Sequence, residues 1–319
     1  MVCCIGSLGK IGIAGRAVVT NQQINSIEFD QSKVFPKYGF YACRRLKPTL
    51  MSMAPATTIP IVSKSKFAQL EIPLPPLPEQ RRIAAILDQA DALRAKRREA
   101  LAQLDSLTQS IFIEMFGDPI ENLRSLPVCR LVDLVDGSRP ITYGILMPGP
   151  DQEDGVKYVR VVDMRNGGID LSAIRTTTHA ISNGYKRSLL KGGDLVMSIR
   201  GHVGRLAVVP KELEGANITQ DTARFAIAGA DPVFVRECLR TPGFQRWMAK
   251  HTKGVAVRGI NLGDVKLMPV IVASASEQQA FSRRAIAIGE LINVHRTALS
   301  ESNALFASLQ HRAFSGQLS

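Results

Sequence analysis

Cysteine is scarce in this chain and none of it forms a CxxC pair: Cys3, Cys4, Cys43, Cys129 and Cys238 are an odd five among 319 residues. Such spacing supports neither a disulfide framework nor a cysteine zinc site, and it reads as reduced thiols. No apolar run approaches the ~18 residues a membrane helix needs. Met1-Val-Cys-Cys has neither the basic start nor the small-residue cleavage site of a signal peptide. These absences lead to the expectation of a cytoplasmic protein with no membrane partner. Catalytic motifs are missing as well. In Gly6-Ser-Leu-Gly9-Lys10-Ile11 the first glycine is too close to the lysine, and no Ser or Thr follows it, for a phosphate loop. Gly9, Gly12 and Gly15 lack the GxG of a dinucleotide fold, and no Asn-Pro-Pro-aromatic, HExxH, GxSxG or His/Cys cluster is present. The chain therefore reads as a binding protein, not an enzyme, with no catalytic residue and no metal site.

What the chain does have is a repeat of itself. Glu79-Gln80 opens a stretch ending at Phe116, and Glu277-Gln278 opens another of the same length ending at Phe314, 198 residues on. Upstream of each lies a Gly-rich turn, Gly6-Ser-Leu-Gly9-Lys10 against Gly201-His-Val-Gly204-Arg205. A polar patch follows each turn, Thr20-Asn21-Gln22 against Thr219-Gln220-Asp221. Internal repeats decide architecture before single residues do. The order is an incomplete domain at 1–76, a helix at 77–118, a complete domain at 119–276 and a second helix at 277–319. Met1 aligns with about Val196, so the first copy lacks roughly half of what the second holds. A misassigned start or fragment, a split gene and a degraded gene all remain open as reasons.

Charge follows the same division. The chain carries 40 Lys and Arg against 28 Asp and Glu, a net +12; residues 1–76 and 119–276 each hold a net +6, while the two helical stretches are close to neutral. Excess positive charge on both globular bodies, without a basic amphipathic helix, points to nucleic acid and not to a membrane surface.

Each helical stretch has a 4-3 seam. The first runs through Ile83, Leu87, Ala90, Arg94, Arg97, Leu101, Leu104, Thr108, Ile111 and Met115; the second through Phe281, Ala285, Ile288, Ile292, His295, Leu299, Ser302, Phe306, Leu309 and Ala313. Each reads as half of a coiled coil, with His295 as a polar residue that sets register, and the simplest partner for one is the other. Pro73, Pro75, Pro76 and Pro78 punctuate the first helix start, and Gly117-Asp118-Pro119 its end. In the second domain, Val- and Ile-rich runs at Lys157–Val162, Asp194–Ile199, Arg205–Val209 and Arg224–Ile227 predict strands of a mixed sheet. Pro232–Lys250 predicts one helix or two short ones, with Pro36–Leu46 as its counterpart. The expected fold is a mixed α/β or α+β class: two domains of one type joined by two long helices in an antiparallel coiled coil.

The run LPPLPEQRRIAAILDQADALRAKRREALAQLDSLTQSIFIEMFGDP, beginning at Leu74, strongly resembles the central region of the DNA-specificity subunits of type I restriction-modification systems. The distal run EQQAFSRRAIAIGELINVHRTALSESNALFASLQHRAFSGQL resembles that family's second repeat. The segments at 138–164 and 193–210 look like its target-recognition domain. The resemblance implies that two such domains read the halves of a bipartite sequence in double-stranded DNA. It also implies that two modification (methyltransferase) subunits dock, and that restriction subunits can join. S-adenosylmethionine would sit on the modification subunits, and ATP with magnesium on the restriction subunits, so no cofactor is expected on this chain. A complementing N-terminal half chain is a further partner left open, as is a truncated or split chain that assembles with modification subunits but reads one half-site or none.

Candidate DNA contacts in the second domain are Arg200, His202 and Arg205 at the glycine turn, Gln220 and Asp221 in the following patch, and Lys253, Arg258 and Asn261 in the loop 254–263 and beside it. In the first domain Lys10, Asn21, Gln22, Gln23, Lys64 and Lys66 hold related places. Arg and Lys can hold phosphates or read guanine, and Asn and Gln can pair with adenine. The helix-pair interface is assigned to Ile83, Leu87, Leu101, Leu104, Ile111, Phe281, Ile288, Ile292, Leu299, Phe306 and Leu309.

Overall fold

Two helices of 40 residues, Leu77–Phe116 (the central helix) and Ala275–Phe314 (the distal helix), carry the chain's repeat in a computed structural model that describes residues 1–54, 59–165, 167–254 and 258–318. The central helix starts at the predicted Leu77, and the distal one two residues earlier than the sequence suggests. The distal start is fixed by a capping box: Ser274 N donates to Glu277 Oε2 at 2.9 Å, and Glu277 N donates to Ser274 Oγ at 3.3 Å. At the central start Pro78 occupies the first turn, where its missing N–H costs nothing. Every predicted seam position is buried or half-buried, including the polar Arg94, Arg97 and His295, so the 4-3 pattern does mark the covered stripe of both helices. Arg97 Nε and His295 Nδ1 are buried without a hydrogen-bond partner, which makes the middle of the stripe its weakest part.

The chain divides into two units, and the division cuts through both helices, not at their ends: residues 1–101 with 294–319, and residues 102–293. In the first unit the helix segments run antiparallel, since Arg82 donates to Leu318 O while Arg94 Nε donates to Asn303 Oδ1 at 2.7 Å. Ile83, Leu87, Phe306 and Phe314 share a core there with Tyr38 and Tyr41, from a helix over Pro36–Arg45. Tyr41 Oη donates to Asp88 Oδ1 at 2.8 Å, and Tyr38 Oη to Pro73 O at 2.6 Å. In the second unit Phe112, Phe116, Phe234 and Phe281 form an aromatic cluster, with Phe112 and Phe281 centroids 5.3 Å apart and edge to face.

Strands in the first unit are β1 (Val2–Cys3) and β2 (Ile24–Asn25), an antiparallel pair. The second unit holds β3 (Val128–Arg130), β4 (Thr142–Tyr143), β5 (Val156–Val159), β6 (Arg175–Thr177), β7 (Leu195–Ser198), β8 (Leu206–Val208), β9 (Asn217–Ile218), β10 (Thr222–Phe225) and β11 (Pro269–Ile271), besides a short ribbon, Met164–Arg165 with Gly168–Ile169. One sheet has the order β8-β7-β10-β4, another β9-β5-β6, and β11 pairs with β3. The predicted strands are present but shorter. Lys157–Val162 ends early because Val161–Asp163 winds into a 3-10 turn held by Arg160 and Asp163. Arg224–Ile227 shifts back to Thr222–Phe225. Pro232–Lys250 resolves into two helices, Pro232–Cys238 and Pro242–His251, each started by a proline after a capping Asp231 or Thr241.

The glycine turns share one frame. Gly6 and Gly9 have φ of 73° and 70°, Gly201 and Gly204 of 69° and 92°, a region closed to most side chains. Gly9 N donates to Cys3 O and Gly204 N to Ser198 O, both at 2.9 Å. Cys4 N donates to Gln23 O as Ile199 N does to Asp221 O, both at 2.8 Å. This corrects the alignment of the polar patches by one residue: Asp221 corresponds to Gln23, and Gln220 to Gln22. All five cysteines are free, and burial pushes the Cys238 thiol up to about 12. Among the described residues no helix is long and apolar enough to cross a membrane, and no group of His, Cys, Asp and Glu is placed to hold a metal.

Candidate nucleic-acid interface

The turn between β7 and β8 brings candidates together that are distant in sequence. Gly201 N donates to Arg258 O at 2.9 Å, Arg200 bridges to Gly259, and Lys253 exchanges backbone bonds with Gly259 at 2.8 and 2.9 Å. Arg200, His202, Lys253 and Arg258 are therefore neighbours by backbone pairing, and all four are exposed. Residues 255–257 of the loop 254–263 lie outside the described residues. A hollow of about 700 Å³ adjoins the turn, lined among others by Arg165, Gly204, Arg205 and Arg240. Exposed cations gathered by such pairing suit phosphates and guanine edges.

Three of the other candidates already have their polar atoms engaged inside the domain. Arg205 Nη1 donates to Val161 O at 3.1 Å and Met164 O at 3.4 Å, which ties the turn to the neighbouring 3-10 segment. Gln220, with its amide nitrogen turned to match its surroundings, donates to Ile145 O at 2.7 Å and Leu146 O at 3.0 Å. Those bonds hold the Tyr143–Leu146 strip against β9, where a Cβ on Gly144 would meet Ile218 O at 1.8 Å. Asn261 caps a short helix, its Oδ1 accepting from Asp264 N at 2.9 Å. Asp221 is half-buried and its carbonyl receives Ile199 N.

In the first unit the same frame carries different chemistry. Ile5 stands at the position of Arg200 and Pro60 at that of Arg258, since Gly6 N donates to Pro60 O at 2.9 Å. Lys10, Asn21, Gln22, Gln23, Lys64 and Lys66 are all exposed. Asn21 Oδ1 accepts from Gln23 N, a local turn, and Ser63 caps the short helix bearing Lys64 and Lys66. The cluster of four is not reproduced there. One gathering of cations was missed from sequence altogether, around the buried Arg224 at the opposite end of β7.

Residues 1–103 match the family model of the type I restriction modification DNA specificity domain. The specificity subunit of the type I restriction enzyme EcoBI from Escherichia coli is 28% identical over 93% of this chain and 69% of its own length. That of MjaVIII from Methanocaldococcus jannaschii is 25% identical over 91% of this chain and 70% of its own length. Over nearly its whole length the chain is similar to type I DNA-specificity subunits. Its fold agrees with the crystal structure of the type I S subunit from M. genitalium, with a TM-score of 0.56 at 18% identity over 98% of this chain and 82% of that one. A structure reporting complex assembly and conformational transition of the type I restriction-modification system gives 0.55 at 18% identity, over 92% of this chain and 74% of that one. Both the EcoBI and the MjaVIII relatives are named specificity subunits of restriction enzymes.

Proposed function

We propose that the second domain reads one half of a bipartite DNA target through Arg200 and His202 of the turn and Lys253 and Arg258 of the segment paired with it, and that the two long helices dock modification subunits. The observation that carries the reading is the backbone pairing that gathers those four exposed side chains from two separate segments. Docking is supported by apolar side chains left exposed on the helices, among them Leu93 at 44%, Val294 at 64% and Leu305 at 53%. S-adenosylmethionine then belongs to the modification subunits, and ATP with magnesium to restriction subunits. Competition by random duplex at rising salt tests the reading. A specific reader keeps its sequence preference after phosphate interactions are screened, and disappearance of all preference would contradict it.

A second reading draws on the first unit. Because Ile5 and Pro60 replace the two arginines in the same frame, that unit offers less to a phosphate or a guanine, and the chain would act chiefly as an assembly partner there. Under this reading the selected DNA sequence shows one half-site only.

A further inference from the structure

Arg224 is the largest fully buried side chain of the described residues, 1% exposed in the middle of β10. Its Nη2 donates to Pro140 O and Arg187 O, both at 3.0 Å, while Nε and Nη1 are buried with no partner. Among the described residues no carboxylate forms a salt bridge with it. Asp194, an acid whose charge reaches Arg224, is held by Arg139 through two bonds of 2.7 and 2.8 Å. Burial and the adjacent Arg139 both pull the Arg224 pKa down from its usual value, more than the charges of Asp194 and Asp136 offset. A buried charge left unpaired is costly, and proteins retain one where something neutralises it.

The same arginine lines a cavity of about 520 Å³ together with Arg139, Lys186, Arg187 and Lys191, against a single acid, Glu214. Lys186, Arg187 and Lys191 are exposed at its rim. We propose that this cavity is an oxyanion site that binds a phosphate group, with Arg224 as its buried wall and the lysines as its rim. A phosphate has the charge to neutralise Arg224 and the acceptor oxygens for several guanidinium and ammonium donors at once. The group comes from a backbone phosphodiester of the bound duplex or from free phosphate. The first source rests on the DNA reading above. The cavity lies at the Asp194 end of β7 and the Arg200 turn at its Ser198 end. The four residues between rise ~13 Å, close to the ~12 Å width of a major groove, so one duplex is wide enough to reach both.

The test uses the full chain, Arg224→Gln, and the rim double variant Lys186→Ala/Lys191→Ala, which leaves the buried structure untouched should Arg224→Gln fail to fold. Inorganic phosphate should raise the melting temperature of the wild type above that in chloride of equal ionic strength, and the rim variant should forfeit most of that rise. For DNA, each phosphate no longer held should reduce the slope of log K against log salt by about 0.9 with sequence preference unchanged. A slope change without stabilisation by free phosphate assigns the site to the duplex, and the converse assigns it to free phosphate. If the wild type shows no phosphate stabilisation and the rim variant leaves the slope unchanged, the proposal is overturned. Failure of the DNA reading alone would show as absent sequence preference in the wild type, with the phosphate response intact.

Discussion

Arg205 sits on the β7–β8 hairpin and Arg258 on the segment that pairs with its turn, yet alanine should affect them differently. Arg205 is tied to Val161 O and Met164 O, so Arg205→Ala should lower stability by about 1 to 3 kcal/mol, the cost of leaving such partners unmet. Arg258 is exposed, so Arg258→Ala should leave the melting temperature alone and weaken DNA binding. If Arg258 reads a base, its removal relaxes preference at one position by about 1 to 3 kcal/mol; if it holds a phosphate, binding weakens for all sequences alike. Urea denaturation and binding isotherms on both variants check this. The sequence could not separate the two arginines, because the carbonyls that hold Arg205 come from about 40 residues upstream. Arg224 was hidden for a related reason: every residue of β10 is buried, and no period-2 alternation exposes which of them is anomalous.

The long helices were legible because a 4-3 seam survives even where Arg94, Arg97 and His295 interrupt it. The first turn of the distal helix was not, since capping by Ser274 depends on geometry as well as on residue type. Phe306 shows what the seam holds. It packs on Tyr41 at 6.1 Å, with the Arg94 guanidinium 4.3 Å and the Arg44 guanidinium 5.1 Å from its ring centre. Phe306→Ala should cost about 3 to 5 kcal/mol in urea denaturation, and a cost under 1 kcal/mol would show that the helix segments do not pack as described. The same unit should be alkali-sensitive. Burial raises the Tyr38 pKa from 10.0 to about 12, and burial with the hydrogen bond to Asp88 raises that of Tyr41. A raised folded pKa means this stabilisation is full below pH 10 and fades as pH climbs toward 12 and beyond. Melting temperatures of Tyr38→Phe should fall less steeply than those of the wild type over that window.

At the scale of the whole molecule the repeat was the clearest sequence signal, and the matching hydrogen bonds at the two glycine turns give it a physical basis. The sequence did not reveal that the same frame carries arginines at 200 and 258 in one unit and Ile5 and Pro60 in the other, because the equivalence rests on backbone pairing. Each long helix of 40 residues is ~60 Å long at 1.5 Å per residue. In the proposed bipartite reading, a seven-residue insertion after Arg97 and after Arg296 keeps the seam on one face and adds ~10 Å. The preferred spacer between half-sites should then lengthen by about three base pairs, at ~3.4 Å each. Methylation-site mapping of the assembled complex checks it, and an unchanged spacer with intact activity rules out the helices as the ruler.

The most direct test of DNA reading by the second domain is selection of duplexes from a random library by the full chain, wild type against Arg200→Ala/Arg258→Ala, at a salt concentration that suppresses nonspecific binding. The wild type should enrich a defined sequence, and the variant should lose preference at the positions those arginines touch while keeping the same melting temperature. Enrichment of the identical sequence by both proteins would contradict the assignment of the turn as the reading surface.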